Sequence, residues 1–300
     1  MQNDSDGQKI NTYLGLLLAV LAVAFAAIFV RWCGDTPSMI IAFYRMFWAT
    51  GIFALLQWRQ KNPVKPLPAR SRWQIFFAGL MLALHFVTWI GSLKFTTVAH
   101  ALIIGSTGPV FALIFAPFLL KEHSDSRAVF AVALATAGVL VIALQDWNSG
   151  SNTGIYGQFF GDMLALSSAV FVTLYFLTGR KMRNDIPLVP YLLRVYGSAA
   201  FVLLVFSVSA GYPLFDHPAE AHFFMLMLAI VPTGVGHSMF NWAARRIEVY
   251  KVNLAGLGEP LLASILAFFL FNEIPQTWFY AGALLIFVGI VIALWERKKG

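Results

Sequence analysis

Eight stretches of this chain hold no Asp, Glu, Lys or Arg over about the length a helix needs to cross a bilayer, roughly 20 residues. They lie at 10–30, 73–93, 95–120, 128–145, 163–179, 195–215, 221–244 and 274–295. Two more apolar stretches, 39–58 and 252–272, are each interrupted by one charge, Arg45 and Glu259. Ten spans leave no room for a soluble domain. The longest gaps carry the turn-formers of surface loops: Pro63, Pro66 and Pro68 in one, Asn148, Gly150 and Asn152 in the other. Of the 300 residues, 59% are hydrophobic and 12% charged, where soluble domains carry about 25% charge. This excludes a disordered tail, a disulfide-stapled scaffold and an ordinary cytosolic enzyme. A single cysteine, Cys33, excludes an internal disulfide and any multi-cysteine metal or redox site.

The net charge of +7 does not point to nucleic acid, because most basic residues sit in the short breaks between apolar runs. Their distribution predicts orientation. With the N-terminus inside, the inner segments hold Lys9, then Arg59, Lys61, Lys65, Arg70 and Arg72, then Lys121 and Arg127. Arg180, Lys181 and Arg183 follow, then Arg245, Arg246 and Lys251, and finally Arg297, Lys298 and Lys299. The outer loops hold only Arg31 and Lys94. Both termini are therefore expected in the cytoplasm. Ala22-Val23-Ala24 has the small-residue form of a signal-peptidase site, but the flanking region is poorly basic and the repeat described next needs this span, so it reads as uncleaved.

Shifted by 151 residues, 98–144 lies on 249–295 without a gap. The pairs include Val98/Val249, Gly105/Gly256, Pro109/Pro260, Ala112/Ala263, Glu122/Glu273 and Gly138/Gly289. Apolar matches are cheap in membrane helices; a Gly–Pro–Glu frame at fixed spacing is not. Weaker echoes pair Gly15 with Gly161, and Arg45 with Arg194. Each half then holds five spans, and an odd number places the second half upside down relative to the first. Inverted repeats of this kind build secondary transporters that bind substrate near the midplane and alternate access around it.

The first copy reads FTTVAHALIIGSTGPVFALIFAPFLLKEHSDSRAVFAVALATAGVLVI, and the second contains GLGEPLLASILAFFLFNE followed by AGALLIFVGIVIALW. A span closing in P-x12-E, the Glu259-Pro260 pair and an arginine in each second span resemble the EamA repeat of the drug/metabolite transporter superfamily. Lys121 and Asn272 stand before the closing glutamates, where that family often has glycine. The resemblance implies an all-α integral membrane protein of ten helices in two inverted five-helix repeats. Its parts would be a cytoplasmic tail at 1–11, helices 1–5 at 12–145, a periplasmic linker at 146–157, helices 6–10 at 158–295 and a basic cytoplasmic tail at 296–300. It further implies export of small organic solutes, amino acids (aromatic ones among them) or related metabolites, across a bacterial inner membrane. Multidrug or organic-cation efflux is the alternative. The expected partners are a small-molecule substrate and the lipid bilayer, with no nucleic acid; monomer or homodimer stays open.

Several residues carry candidate roles. Glu259 lies about 13 Å into its span at 1.5 Å per residue, where a charge is costly and usually faces a cavity or a partner. It reads as a proton carrier or substrate contact, or as a neutral acid supporting the backbone opened by Pro260. Arg45 and Arg194 read as a carboxylate clamp or as structural groups, and their occurrence in both halves favours structure. Two polar-aromatic faces at i, i+4 spacing, His85 with Trp89 and His237 with Asn241, suit a cavity for a zwitterionic or aromatic solute. Tyr175, Ser106 and Asn253 are weaker substrate-binding candidates, and His100 is a further membrane histidine. Gly105, Gly108, Pro109, Gly256, Gly258 and Pro260, with Pro232, Gly234 and Gly236, mark hinges or close static contacts. Glu122 and Glu273 read as caps of the following helices or as gating groups, and Trp32, Trp147 and Trp278 as interfacial anchors.

No histidine pair has metal-ligand spacing, and no phosphate-binding G-x4-G-K-[ST] loop occurs, so neither metal nor cofactor is expected. An intramembrane enzyme is the remote alternative. Asp162 has no intramembrane aspartate partner, and Gly105-Ser106-Thr107-Gly108 lacks serine where a G-x-S-G loop needs it.

Overall fold

The computed structural model describes residues 2–60, 66–95, 104–146, 154–271 and 277–295, and among them every regular element is helical. The helices are α1 (Gln2–Trp32), α2 (Ser38–Gln60), α3 (Ala69–Phe95), α4 (Gly108–Leu120), α5 (Ser126–Asp146) and α6 (Gly154–Lys181). After these come α7 (Leu188–Ser209), α8 (Ala219–Ala244), α9 (Val249–Gly256), α10 (Gly258–Phe271) and α11 (Thr277–Leu294). Among the described residues, eight spans are long and apolar enough to cross a membrane, one of them formed by α9 and α10 in series, and two shorter apolar helices lie at Gly108–Leu120 and Ser126–Ile142. His100, Trp147 and Glu273 lie outside the described residues.

Prolines and glycines set the boundaries. Pro187 and Pro218 occupy the N-caps of α7 and α8, where the lack of an N–H and a fixed φ cost nothing. At the other end of α7, Gly211 takes φ +72°. Its N–H bonds Val208 O and the Tyr212 N–H bonds Ser207 O, both at 3.0 Å, which is the Schellman pattern. Ahead of α5, Asp125 Oδ1 accepts the Ala128 N–H at 2.8 Å. Asp125 thus caps α5, and the chain reaches it from α4 through Lys121 in the left-handed region, φ 58°.

The two apolar runs with matched Gly–Pro breaks do not form continuous helices. In the first, Ile104–Gly105 is followed by a turn at Ser106–Thr107, and α4 starts afresh at Gly108. In the second, α9 ends at Gly256 and α10 starts at Gly258. Pro109 and Pro260 thus stand in the first turns of new helices, among donors that have no intrahelical partner anyway.

The chain divides into two compact units, each drawn from both repeats: Met1–Val87 with Leu174–Arg246, and Thr88–Thr173 with Ile247–Gly300. In the first unit α2 packs on α7, and α1 packs along α8. A Cβ on Gly79 of α3 would come within 2.5 Å of Ser198 Cβ on α7, and one on Gly236 of α8 within 2.5 Å of Val23 on α1. In the second unit α5 lies along α11 and α4 packs on α9. A Cβ on Gly138 would meet Gly282 O at 2.5 Å, and one on Gly289 would meet Ala131 O at 2.8 Å. The small-residue stripes of α5 and α11 therefore pack on each other within one chain, the close backbone approach that such stripes permit in membranes. Gly138→Ala is expected to destabilise the purified protein by about 1–3 kcal/mol through overpacking. Gly51→Ala, whose Cβ meets nothing within 4 Å, is expected to be neutral. Unfolding midpoints in detergent measure both, and equal midpoints would contradict the close contact.

Candidate functional site

The polar interior of the first unit is organised by an irregular turn. Residues Ala229–His237 of α8 form a π-helical segment containing Pro232, Gly234 and Gly236. Pro232 withholds an N–H from the helical ladder. The Ser238 N–H reaches back to Thr233 O, the i→i+5 bond that defines a π turn. Gly234 lacks the Cβ that would stand 3.0 Å from Ala229 O. The helix breakers seen in the sequence thus produce a widened turn within a continuous span.

Thr233, at the centre of that turn, is fully buried. Its hydroxyl accepts Arg45 Nε of α2 at 2.6 Å, and its carbonyl takes the Ser238 hydroxyl at 3.1 Å. Arg45 is 2% exposed, and its guanidinium lies 4.2 Å from the centroid of the Phe86 ring. It does not snorkel to a headgroup; it is held by a hydroxyl and an aromatic face. Around Thr233 the network continues. Tyr196 OH and Ser238 Oγ are 3.2 Å apart, and Asn241 Nδ2 donates to Tyr175 OH at 2.5 Å and to His237 O at 3.1 Å.

His237 closes the cluster. It is 8% exposed, and its Nδ1 is buried with no hydrogen-bond partner in the structure. Its ring stacks with Phe176 at 6.3 Å, meets Phe86 edge-on at 5.5 Å and stands 6.3 Å from the His85 ring. An unpartnered imidazole nitrogen among aromatic rings, beside a buried guanidinium, can take a hydrogen-bonding group of a solute while the rings contact its apolar body.

Of the sequence-predicted residues, His85, Tyr175, His237, Asn241 and Arg45 come together in this unit. Arg194 belongs to the same unit but plays a different part: its Nη1 donates to Pro190 O, one turn back in its own helix, at 2.9 Å. The repeat pairs the two arginines, yet only Arg45 bonds across to a neighbouring helix in this cluster. Trp89, Ser106, Asn253 and Glu259 belong to the second unit. There Asn253 Nδ2 donates to Thr173 Oγ1 at 3.1 Å, and Thr173 Oγ1 donates to Gly108 O at 3.1 Å, so Asn253 braces the start of α4. Glu259 is half-buried in the first turn of α10, where the helix dipole favours a carboxylate. Asp162 sits about two turns into α6, because that helix begins earlier than its apolar run.

Sequence reading did not single out Thr233, Tyr196, Ser238, Phe86 or Phe176. The signal for Thr233 was present, since it stands between Pro232 and Gly234. The others carry no local mark.

The EamA-like transporter family model matches this chain twice, at residues 10–144 and 159–295. The chain belongs to that family. Among its relatives, the uncharacterized transporter YcxC of Bacillus subtilis is 26% identical over 95% of this chain and 93% of its own length. An uncharacterized transporter of Archaeoglobus fulgidus is 24% identical over 96% of this chain and 99% of its own. Human solute carrier family 35 member G1 is 25% identical over 94% and 79%. A solved crystal structure superposes with a TM-score of 0.80 at 18% identity, covering 94% of this chain and 96% of its own, a likeness of fold. The resemblance read from the sequence is thereby upheld at the level of the family: a multi-pass membrane protein of the transporter class.

For this EamA-family chain, Thr233→Val is expected to lower unfolding stability by about 1–3 kcal/mol, because it withdraws an acceptor from a buried charged donor. Thr233→Ser is expected to retain most of it. Equal loss in the two variants, read from thermal midpoints in detergent, would show that the hydroxyl is not what holds Arg45.

Proposed function

We propose that this protein exports small organic solutes, amino acids or closely related metabolites with aromatic members among them, across a bacterial inner membrane. The observation that carries the reading is His237, whose buried Nδ1 has no partner in the structure although it lies among Phe86, Phe176 and His85 and in the same unit as buried Arg45. Aromatic rings with one imidazole nitrogen suit a solute with an apolar body and a polar end. The buried positive charge of Arg45 favours a solute bearing a carboxylate and weighs against organic cations, the second reading of the sequence.

On this proposal the chain crosses the membrane ten times, with both termini in the cytoplasm and its two repeats inverted. Alternating access would use the matched breaks at Gly105, Gly108-Pro109, Gly256 and Gly258-Pro260 as hinges. His85, His237, Tyr175 and Asn241 of the first unit would contact solute. Arg45 orients the carboxylate, Arg194 serves structure, and Glu259 is assigned to proton coupling.

Uptake into proteoliposomes over an amino-acid panel, with and without an imposed proton gradient, tests the reading. Wild type is expected to move at least one aromatic or branched amino acid. His237→Ala is expected to lower kcat/KM about tenfold or more, the equivalent of at least one good hydrogen bond in the bound state. Glu259→Gln is expected to lose the response to the gradient while keeping flow down a solute gradient. Silence across the panel together with movement of cationic dyes would overturn the amino-acid assignment, and full activity of His237→Ala would overturn the site.

A further inference from the structure

A second set of buried polar atoms lacks partners in the structure, where α6 runs into α7 and where α8 stops. Arg245, the residue after α8, lies with its guanidinium 4.7 Å from the centroid of the Tyr191 ring, and its Nη1 donates to Ile186 O at 2.8 Å. One face and one corner of the guanidinium are therefore fixed. The remaining edge, Nε with Nη2, is shielded from solvent and has no hydrogen-bond partner in the structure. Tyr191, fully buried in the first turn of α7, likewise has an unpartnered hydroxyl.

The Nε/Nη2 edge presents two parallel N–H donors, a geometry that matches the two oxygens of a carboxylate or phosphate. Three further features favour negative charge at this place. Tyr191 adds a third donor. Helix α7 begins here without a side-chain cap, so the positive end of its dipole is open to an anion. The connector and helix ends also carry Arg180, Lys181, Arg183 and Arg246 against one acid, Asp185. Arg180 and Arg246 are themselves engaged, donating to Ala244 O and Trp242 O. The fork edge of Arg245 is thus the donor pair oriented and left over.

We propose that Arg245 Nε and Nη2 with Tyr191 OH form a binding site for an oxyanion, a carboxylate or a phosphate. Arg245 immediately follows a candidate membrane span ending at Ala244, a level reached both by lipid headgroup phosphates and by free anions in solution. Tyr191 OH borders the His237 cluster, since it and Asn241 Oδ1 stand 3.3 and 2.6 Å from the Cβ position of Gly179, but the Arg245 fork is no member of that cluster, and its occupation does not depend on which solute is exported.

The test uses the purified, delipidated full-length protein. Its thermal midpoint is followed in sodium acetate, sodium phosphate and sodium chloride at equal ionic strength, and in nanodiscs of phosphatidylcholine with and without phosphatidylglycerol. Native mass spectrometry reports retained phosphatidylglycerol. Acetate or phosphate is expected to raise the midpoint above chloride if the oxyanion is free in solution. Phosphatidylglycerol alone is expected to do so, and to be retained, if the oxyanion is a headgroup. In either case Arg245→Lys, which keeps the charge and loses the fork, is expected to weaken apparent binding about tenfold, and Tyr191→Phe to weaken it by a smaller factor. Tyr191→Phe removes one hydroxyl and nothing else, so it decides the matter should Arg245→Lys fail to fold. No rise with any of these anions, or a rise that both variants leave unchanged, overturns the site and leaves the export proposal standing.

Discussion

A guanidinium placed in the middle of a membrane-buried bundle has no water to hydrate it, so the protein must supply what water would have supplied. Arg45 obtains it from the Thr233 hydroxyl and the face of Phe86. Thr233 is available to Arg45 as part of a turn whose backbone has been widened around Pro232, and whose carbonyl is shared with Ser238. From that one contact the polar interior follows outward to Ser238 and Tyr196, and the same unit holds Asn241 bonded to Tyr175. Removing one member of such a chain leaves its neighbours desolvated rather than rehydrated, so the cluster behaves as a unit.

The second unit solves a different problem. Its described helices are held by proximity: glycines let α5 and α11 approach until backbone carbonyls limit the distance. Where its apolar runs break, the break is managed by restarting the helix rather than bending it. Pro109 and Pro260 then fall where no donor is needed, and Thr173 and Asn253 brace the restart at Gly108.

The sequence allowed much of this to be read. Apolar runs located the helices, eight of them among the described residues long and apolar enough to cross a membrane, and the Gly–Pro–Glu frame located both repeats and the points where helices are interrupted. The i, i+4 spacing of His237 and Asn241 puts both beside Tyr175, whose hydroxyl Asn241 Nδ2 bonds and whose ring lies 6.4 Å from that of His237. Other features were not legible. In a soluble helix a polar stripe against an apolar one tells which face is inward, whereas here lipid and core are both apolar, so Phe86 and Phe176 could not be told from lipid-facing phenylalanines. The paired arginines show the same limit, because the pairing does not tell how each one is held. Internal symmetry of sequence predicts like environments, but Arg45 meets a helix with a displaced hydroxyl while Arg194 turns back onto its own carbonyl.

The π segment changes how α8 must be read along its length. An α-helix advances by about 100° per residue, and a π turn accommodates one residue more than the α-helical path would. Residues before Ala229 and after His237 therefore lie on faces offset by about one residue from those a single helical wheel assigns. Asn241 and Met225 point where they do because of that extra residue. For this helix, the faces of its two ends are conserved by changes that respect the phase, so a one-residue deletion inside the π turn would disturb their register less than the same deletion in either flank.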